Sequence, residues 1–165
     1  MALCEATLED YCEGKYVGPM PDDLTALNQI ANGLKYIHSK GLVHGNIKPT
    51  NILISTERPI QLKLSDFGLM EPVSRQGILG STVEKKCKNP FNRSRYWIAF
   101  ELMEQILNGD TNSPIQATLS SDIFSTGCLF FYFLTRGVHL YGPPSFIVRN
   151  ILEGNLVNLT RKLMN

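Results

Sequence analysis

Two short stretches hold side chains that could do chemistry together: "VHGNIKPTNILIS", Val43 to Ser55, and "LSDFGL", Leu64 to Leu69. They supply an imidazole (His44), two amides (Asn46, Asn51), an ammonium (Lys48) and a carboxylate (Asp66). Amide and carboxylate oxygens are the hard donors that a divalent cation such as Mg²⁺ takes, and a lysine suits a phosphate as a point charge. Taken singly, each residue has a plainer reading. Asn51 alone is a turn residue, Lys48 a solvated charge, and Leu53 and Phe67 are packing side chains.

These residues need a scaffold, and the flanking patterns describe one. "NILIS" and "IQLKLSD" read as short strands, Ile60, Leu62 and Leu64 alternating with polar partners, and "TERP" between them reads as a turn. Before them, "PDDLTALNQIANGLKYIHSKG" reads as a helix, with Leu24, Leu27, Ile30, Ala31, Leu34 and Ile37 on one stripe. Asp22 and Asp23 mark its start and Gly41 its stop. A shorter helix is expected over Thr7 to Glu13. From Asp66 to about Asn92 the pattern becomes irregular, Gly/Ser-rich and then basic, a length usually functional or mobile. "IAFELMEQIL" reads as helical. Ser120 or Ser121 is expected to cap "DIFSTGCLFFYFLTRG", apolar nearly all round and so expected to be buried on every side. Ser145 is expected to open a last amphipathic helix closed by Gly154.

The bulk numbers exclude several classes. A chain of 165 residues with 43% hydrophobic and 19% charged residues has room for one domain with a core. A net charge of +1 provides no bulk field for nucleic acid or a membrane surface, so direct nucleic-acid binding is not expected. The N-terminal "MALCEATLEDYC" lacks a signal-peptide pattern, and "CLFFYFLT" is too short to span a bilayer. Cys4, Cys12, Cys87 and Cys128 form no C-x-x-C pair and no metal spacing with the histidines, which reads as reduced thiols in a cytosolic setting. The triplets at Asn92 and Asn158 read as chance glycosylation patterns.

The order of motifs is more specific than any one of them. His44, Lys48, Pro49 and Asn51 stand as in H-R-D-L-K-P-x-N, and Asp66, Phe67 and Gly68 follow as D-F-G. Then "YWIAFELM" resembles the A-P-E region through Ala99 and Glu101, and "SSDIFSTGC" resembles D-x-W-S-x-G through Asp122, Ser125 and Gly127. This sequence resembles the protein kinase superfamily. "ALCEATLEDY", "SDFGL", "WIAFE" and "DIFSTGC" are most similar to the inositol-requiring unfolded-protein-response sensors, which join a kinase to an endoribonuclease, with ribonuclease L as their cousin. The likeness runs from Leu3 to about Gly154.

The resemblance implies a mainly α fold with a small β element: a kinase-like C-terminal lobe, the N-terminal lobe absent. Residues 1–165 would be a partial kinase domain, from the hinge through about the seventh helix. It implies ATP or ADP with Mg²⁺, the metal held by Asn51 and Asp66 and Lys48 near the transferred phosphate. Cys4 would lie in the hinge that meets adenine and Leu53 beneath the base. Asp122 would hold the backbone of the His44 loop, and His44 would pack and hydrogen-bond without being a catalyst. The implied partners are nucleotide and a second copy or a related kinase in a dimer. The implied location is the cytosolic face of the endoplasmic reticulum membrane, as part of a full-length sensor.

The departures from that family are as informative. Asn46 stands where the family has its proton-accepting aspartate. A neutral amide cannot take that proton, a loss typically of ~10²–10⁴-fold in rate, or roughly 3–5 kcal/mol of barrier. Gly45 replaces an arginine that pairs with an activation-loop phosphate, so phosphorylation at Ser74, Ser81, Thr82 or Ser94 would lack its usual acceptor. Phe100 replaces a proline. No Gly-rich loop, V-A-I-K lysine or partner glutamate precedes the hinge, and the arginine that the family pairs with the Glu101 position would lie beyond Asn165. A buried Glu101 would then be destabilising, and faces cut from their neighbours would expose apolar patches. Three readings follow: a nucleotide-binding pseudokinase, a working Ser/Thr kinase whose small lobe lies outside this sequence, or a non-enzymatic fragment or interaction module. Phosphotransfer by these residues alone is not expected.

Overall fold

Capping side chains and apolar periodicity set the elements of this chain. The computed structural model describes residues 3–66, 71–72, 93–108 and 117–159. In order these form β1 (Cys4–Thr7), α1 (Leu8–Cys12), α2 (Asp23–Ser39), β2 (Leu42–Val43), β3 (Ile52–Ser55), β4 (Leu62–Leu64), β5 (Glu71–Pro72), α3 (Phe100–Asn108), α4 (Leu119–Leu134) and α5 (Ile147–Leu152). Short 3₁₀ turns occupy Pro49–Asn51 and Arg93–Trp97. The fold is mainly α with a small β element, as expected. Phe67, Gly68, Ser74, Ser81, Thr82, Cys87 and Asn92, with most of the irregular stretch, lie outside the described residues.

The expected pair of strands is part of a three-stranded antiparallel sheet in the order β1-β3-β4. β1 carries no alternation long enough to announce itself; it forms because β3 offers an edge, pairing Cys4 with Ser55 and Thr7 with Leu53. Ile52 and Ile54 are fully buried beneath this sheet. A second pair, β2 with β5, sets Val43 opposite Glu71. α1 starts where Thr7 accepts from the Asp10 amide while Asp10 accepts from the Thr7 amide, a reciprocal cap.

α2 is capped by Asp22, whose carboxylate accepts from the Thr25 amide. Its inward stripe is Ala26, Ile30, Leu34 and Ile37. Leu24 and Ala31, both expected on that stripe, are exposed, Leu24 at 69%, and the small Ala26 faces inward instead. The spacing is consistent with this, since Ala26, Ile30 and Leu34 recur every fourth residue. A Cβ on Gly33 would sit 3.0 Å from Leu64, so helix and strand approach closely there. Gln29 completes that contact by accepting from the Leu62 amide.

α4 departs from expectation twice. Its cap is Thr118, which accepts from the Ser121 amide while Ser121 accepts from the Thr118 amide; Ser121 is the third helical residue and not the cap. The helix is not buried all round either. Asp122, Ser125, Leu129 and Phe133 are buried, whereas Ile123 is 63% and Leu134 48% exposed. That outer face borders a groove of ≈ 430 Å³ against Ala31, Leu34 and Phe130. α5 begins at Ile147 after Phe146 without a side-chain cap, so Ser145 does not open it. Gly154 ends that segment at φ 64, as expected.

Candidate functional site

The hairpin register explains why residues far apart in sequence meet. Ile52 lies opposite Leu64 and Ile54 opposite Leu62, so Asn51, just before β3, comes beside Ser65, just after β4. The Ser65 amide donates to the Asn51 carbonyl at 2.9 Å, and the Ser65 hydroxyl donates to the same oxygen at 3.1 Å. Asp66 is then delivered next to Asn51. It adopts φ 66, the left-handed region that a residue with a side chain seldom enters and that marks functional sites more often than chance.

Three of the expected residues converge there. Asn51 Nδ2 donates to the Asn46 carbonyl at 2.8 Å and stands 3.4 Å from Asp66 Oδ2. Asn46 Nδ2 also donates to Asp66 Oδ2. Asn46 and Asn51 are buried, and Asp66 is exposed at the opening. Lys48 is not a free surface charge, because its Nζ donates to Ser94 at 2.9 Å and ties the loop to the 3₁₀ turn before α3. Cys4 and Leu53 lie on neighbouring strands of the sheet, both half-buried. Leu53 projects from the face opposite Ile52 and Ile54, two residues beyond Asn51. The Asp66 carboxylate is a hard oxygen donor of the kind a divalent cation takes, and Asn51 faces it through its amide nitrogen.

The loop behind this cluster hangs on one buried carboxylate. Asp122, in the first turn of α4, has a side chain 2% exposed. Its Oδ2 accepts from the His44 amide at 2.8 Å and its Oδ1 from the Gly45 amide at 2.9 Å. His38 Nε2, from the last turn of α2, reaches Asp122 Oδ2 at 2.9 Å. The start of a helix favours that charge, and three donors replace its lost hydration. His44 is committed at both ring nitrogens: Nε2 meets the Ser65 carbonyl at 3.0 Å and Nδ1 accepts from the Asn46 amide at 3.3 Å. Those partners hold it as a neutral ring with the proton on Nε2, a structural role and not that of a base.

Sequence reasoning missed His38 and Ser65 as parts of this arrangement. Nothing local marks either, since His38 lies 84 positions from Asp122 in the chain. Glu101, which would be costly if buried, is exposed and bears no such penalty. Phe100 is 41% exposed beside the fully buried Ala99. The buried thiols Cys12 and Cys128 have pKa values pushed up to about 12 by desolvation, which removes them as nucleophiles.

This geometry agrees with the comparison to known families, in which the protein kinase domain model matches residues 1–157. The chain belongs to the protein kinase domain family. As a kinase-like Ser/Thr domain it is similar to the human serine/threonine-protein kinase/endoribonuclease IRE2, 33% identical over 168 residues covering 93% of this chain and 16% of that protein. The Caenorhabditis elegans serine/threonine-protein kinase/endoribonuclease ire-1 is 31% identical over 162 residues, covering 93% of the chain and 15% of that protein. The Schizosaccharomyces pombe sensor for unfolded proteins in the ER, ire1, is 32% identical over 172 residues, with shares of 93% and 16%. The chain thus spans about one sixth of the length of these relatives. Among the described residues no helix is long and apolar enough to cross a membrane.

Proposed function

We propose that this kinase-family chain is the large-lobe part of a nucleotide-binding pseudokinase, related to the stress-sensor kinase/endoribonucleases and acting through conformation and not phosphotransfer. The observation that carries the reading is the Asn46–Asn51–Asp66 cluster. The Asp66 carboxylate stands exposed with the amide nitrogens of Asn46 and Asn51 against it, and the amide at position 46 cannot accept a proton. ATP or ADP would enter with Mg²⁺, which supplies charge neutralisation between phosphates. Asp66 and Asn51 would hold that cation. Among the described residues no group of three His, Cys, Asp or Glu side chains could hold a metal ion by itself, so phosphate oxygens would complete the shell. Leu53 would pack against the base and Cys4 would offer its backbone to it.

In this reading residues 1–165 belong to one kinase domain, from the hinge through about the seventh large-lobe helix. The bound nucleotide would bias association with a second copy or a related kinase. The site of action would be the cytosolic face of the endoplasmic reticulum membrane. Nucleotide binding followed by fluorescence, beside phosphotransfer from labelled ATP, tests this. Binding without transfer, abolished by Asp66→Ala in a folded protein, is the expected result. Transfer by the unmodified chain at ordinary kinase rates would refute it. A second reading, a slow but working Ser/Thr kinase, draws on the Lys48–Ser94 contact, which leaves the lysine beside the site. A rise in transfer on Asn46→Asp would favour that reading.

A further inference from the structure

We propose that the Asn46 amide is a tether standing in for a cation at Asp66, so that nucleotide binding at this site depends only weakly on divalent metal. The proposal rests on the nucleotide-binding reading above.

The argument begins with Asp66 Oδ2. Asn46 Nδ2 donates to it, and Asn51 Nδ2 stands 3.4 Å from it. An aspartate at position 46 would bring a second carboxylate against the same oxygen. Two like charges in contact, on residues backed by the buried loop, call for a cation or a proton between them. An amide turns that repulsion into attraction, because the positive end of its dipole meets the carboxylate. The donors also support Asp66 at φ 66, a conformation that needs outside support. Asn46 is itself held, its backbone amide by His44 Nδ1 and its carbonyl by Asn51 Nδ2. The tether is therefore anchored at its base.

Two consequences follow for a triphosphate. The site has one negative charge fewer, so less repulsion must be neutralised by metal. The carboxylate is also already positioned, with a donor engaging Oδ2, so the cation of the reading above would draw chiefly on the other carboxylate oxygen and would be held more weakly.

The test uses the full chain and a fluorescent ATP analogue, titrated in Mg²⁺ and in EDTA, for the natural protein and Asn46→Asp. The natural protein is expected to change affinity by less than about threefold on chelation, the scale of one exchanged weak hydrogen bond. Asn46→Asp is expected to lose about tenfold or more, the scale of an unneutralised like-charge pair. An equally large loss in both proteins overturns the proposal.

A nucleotide-free arm keeps the two readings apart. The Asn46 side-chain amide pair, assigned in ¹⁵N–¹H spectra by its disappearance in Asn46→Asp, is expected to be displaced from solvent-exposed amide positions and to return there in Asp66→Ala. Wild-type signals already at exposed positions overturn the tether even if nucleotide binds. Displaced signals with no nucleotide bound, in Mg²⁺ or in EDTA, overturn the nucleotide-binding reading and the metal-independence with it.

Discussion

The two ends of the segment His44–Asn51 are held in different ways. At its start, the His44 and Gly45 amides meet a carboxylate whose side chain is 2% exposed and which also takes His38. Beyond them, Asn46, Asn51 and the exposed Asp66 share contacts around one oxygen at an opening to solvent. The first end is a fastening with every polar group committed. The second sets two buried amides around one exposed carboxylate.

Removing the fastening is the strongest way to break the contrast. Asp122→Ala leaves two backbone amides and His38 without their acceptor, so a loss of about 3–5 kcal/mol is expected in urea denaturation. A loss under 1 kcal/mol would mean that the loop is held elsewhere.

A second buried histidine sharpens it. His44 has partners at both nitrogens, whereas His139 accepts from the Tyr141 amide but its Nε2 is buried without a partner in hydrogen-bond geometry. Desolvation lowers the His139 pKa to about 4, only partly opposed by the Tyr96 backbone. Its neutral form is the folded form. Stability from this group is therefore fully present above about pH 6.5 and is lost as pH falls toward 4, by roughly 3 kcal/mol. Melting temperatures across that range should drop, and His139→Gln should flatten the slope.

Gly45 tests the fastened end by conformation alone. At φ 68 an alanine there is expected to lose about 1–2 kcal/mol through backbone strain with the Asp122 contacts intact, read by thermal unfolding. The smallest stability effect belongs to the open end. Asn51→Ala should lose no more than about 1 kcal/mol, for the hydrogen bond to Asn46, yet should remove nucleotide binding in a fluorescence titration. If Asn51→Ala unfolds the chain, the two ends are one structural unit and the contrast fails.

Much of the scaffold was legible in the residue order, because it depends on neighbours. Capping by Asp22, the stripe from Ile30 to Ile37 and the alternation of Leu62 and Leu64 are local patterns, and α2, β3 and β4 stand where those patterns put them. The spacing from His44 to Asp122 was specific enough to announce the kinase family. The cap of α4 was misplaced because Thr118, Ser120 and Ser121 are chemically equivalent caps. Only the backbone turn at Thr118, extended at φ -123 and ψ 167, chooses among them. The exposure of Leu24 and Ile123 depends on which neighbours are present to cover them, which periodicity does not encode.

By itself, then, the sequence determined which chemical groups are present: a carboxylate at 66, an amide at 46, and a glycine at 45. Only the tertiary structure decided what they face. Hairpin register carries Asp66 to Asn51, and α4 brings Asp122 to the amides of His44 and Gly45. Hydrogen bonds form over about 3 Å, and closeness on that scale between distant residues is a property of packing and not of order along the chain.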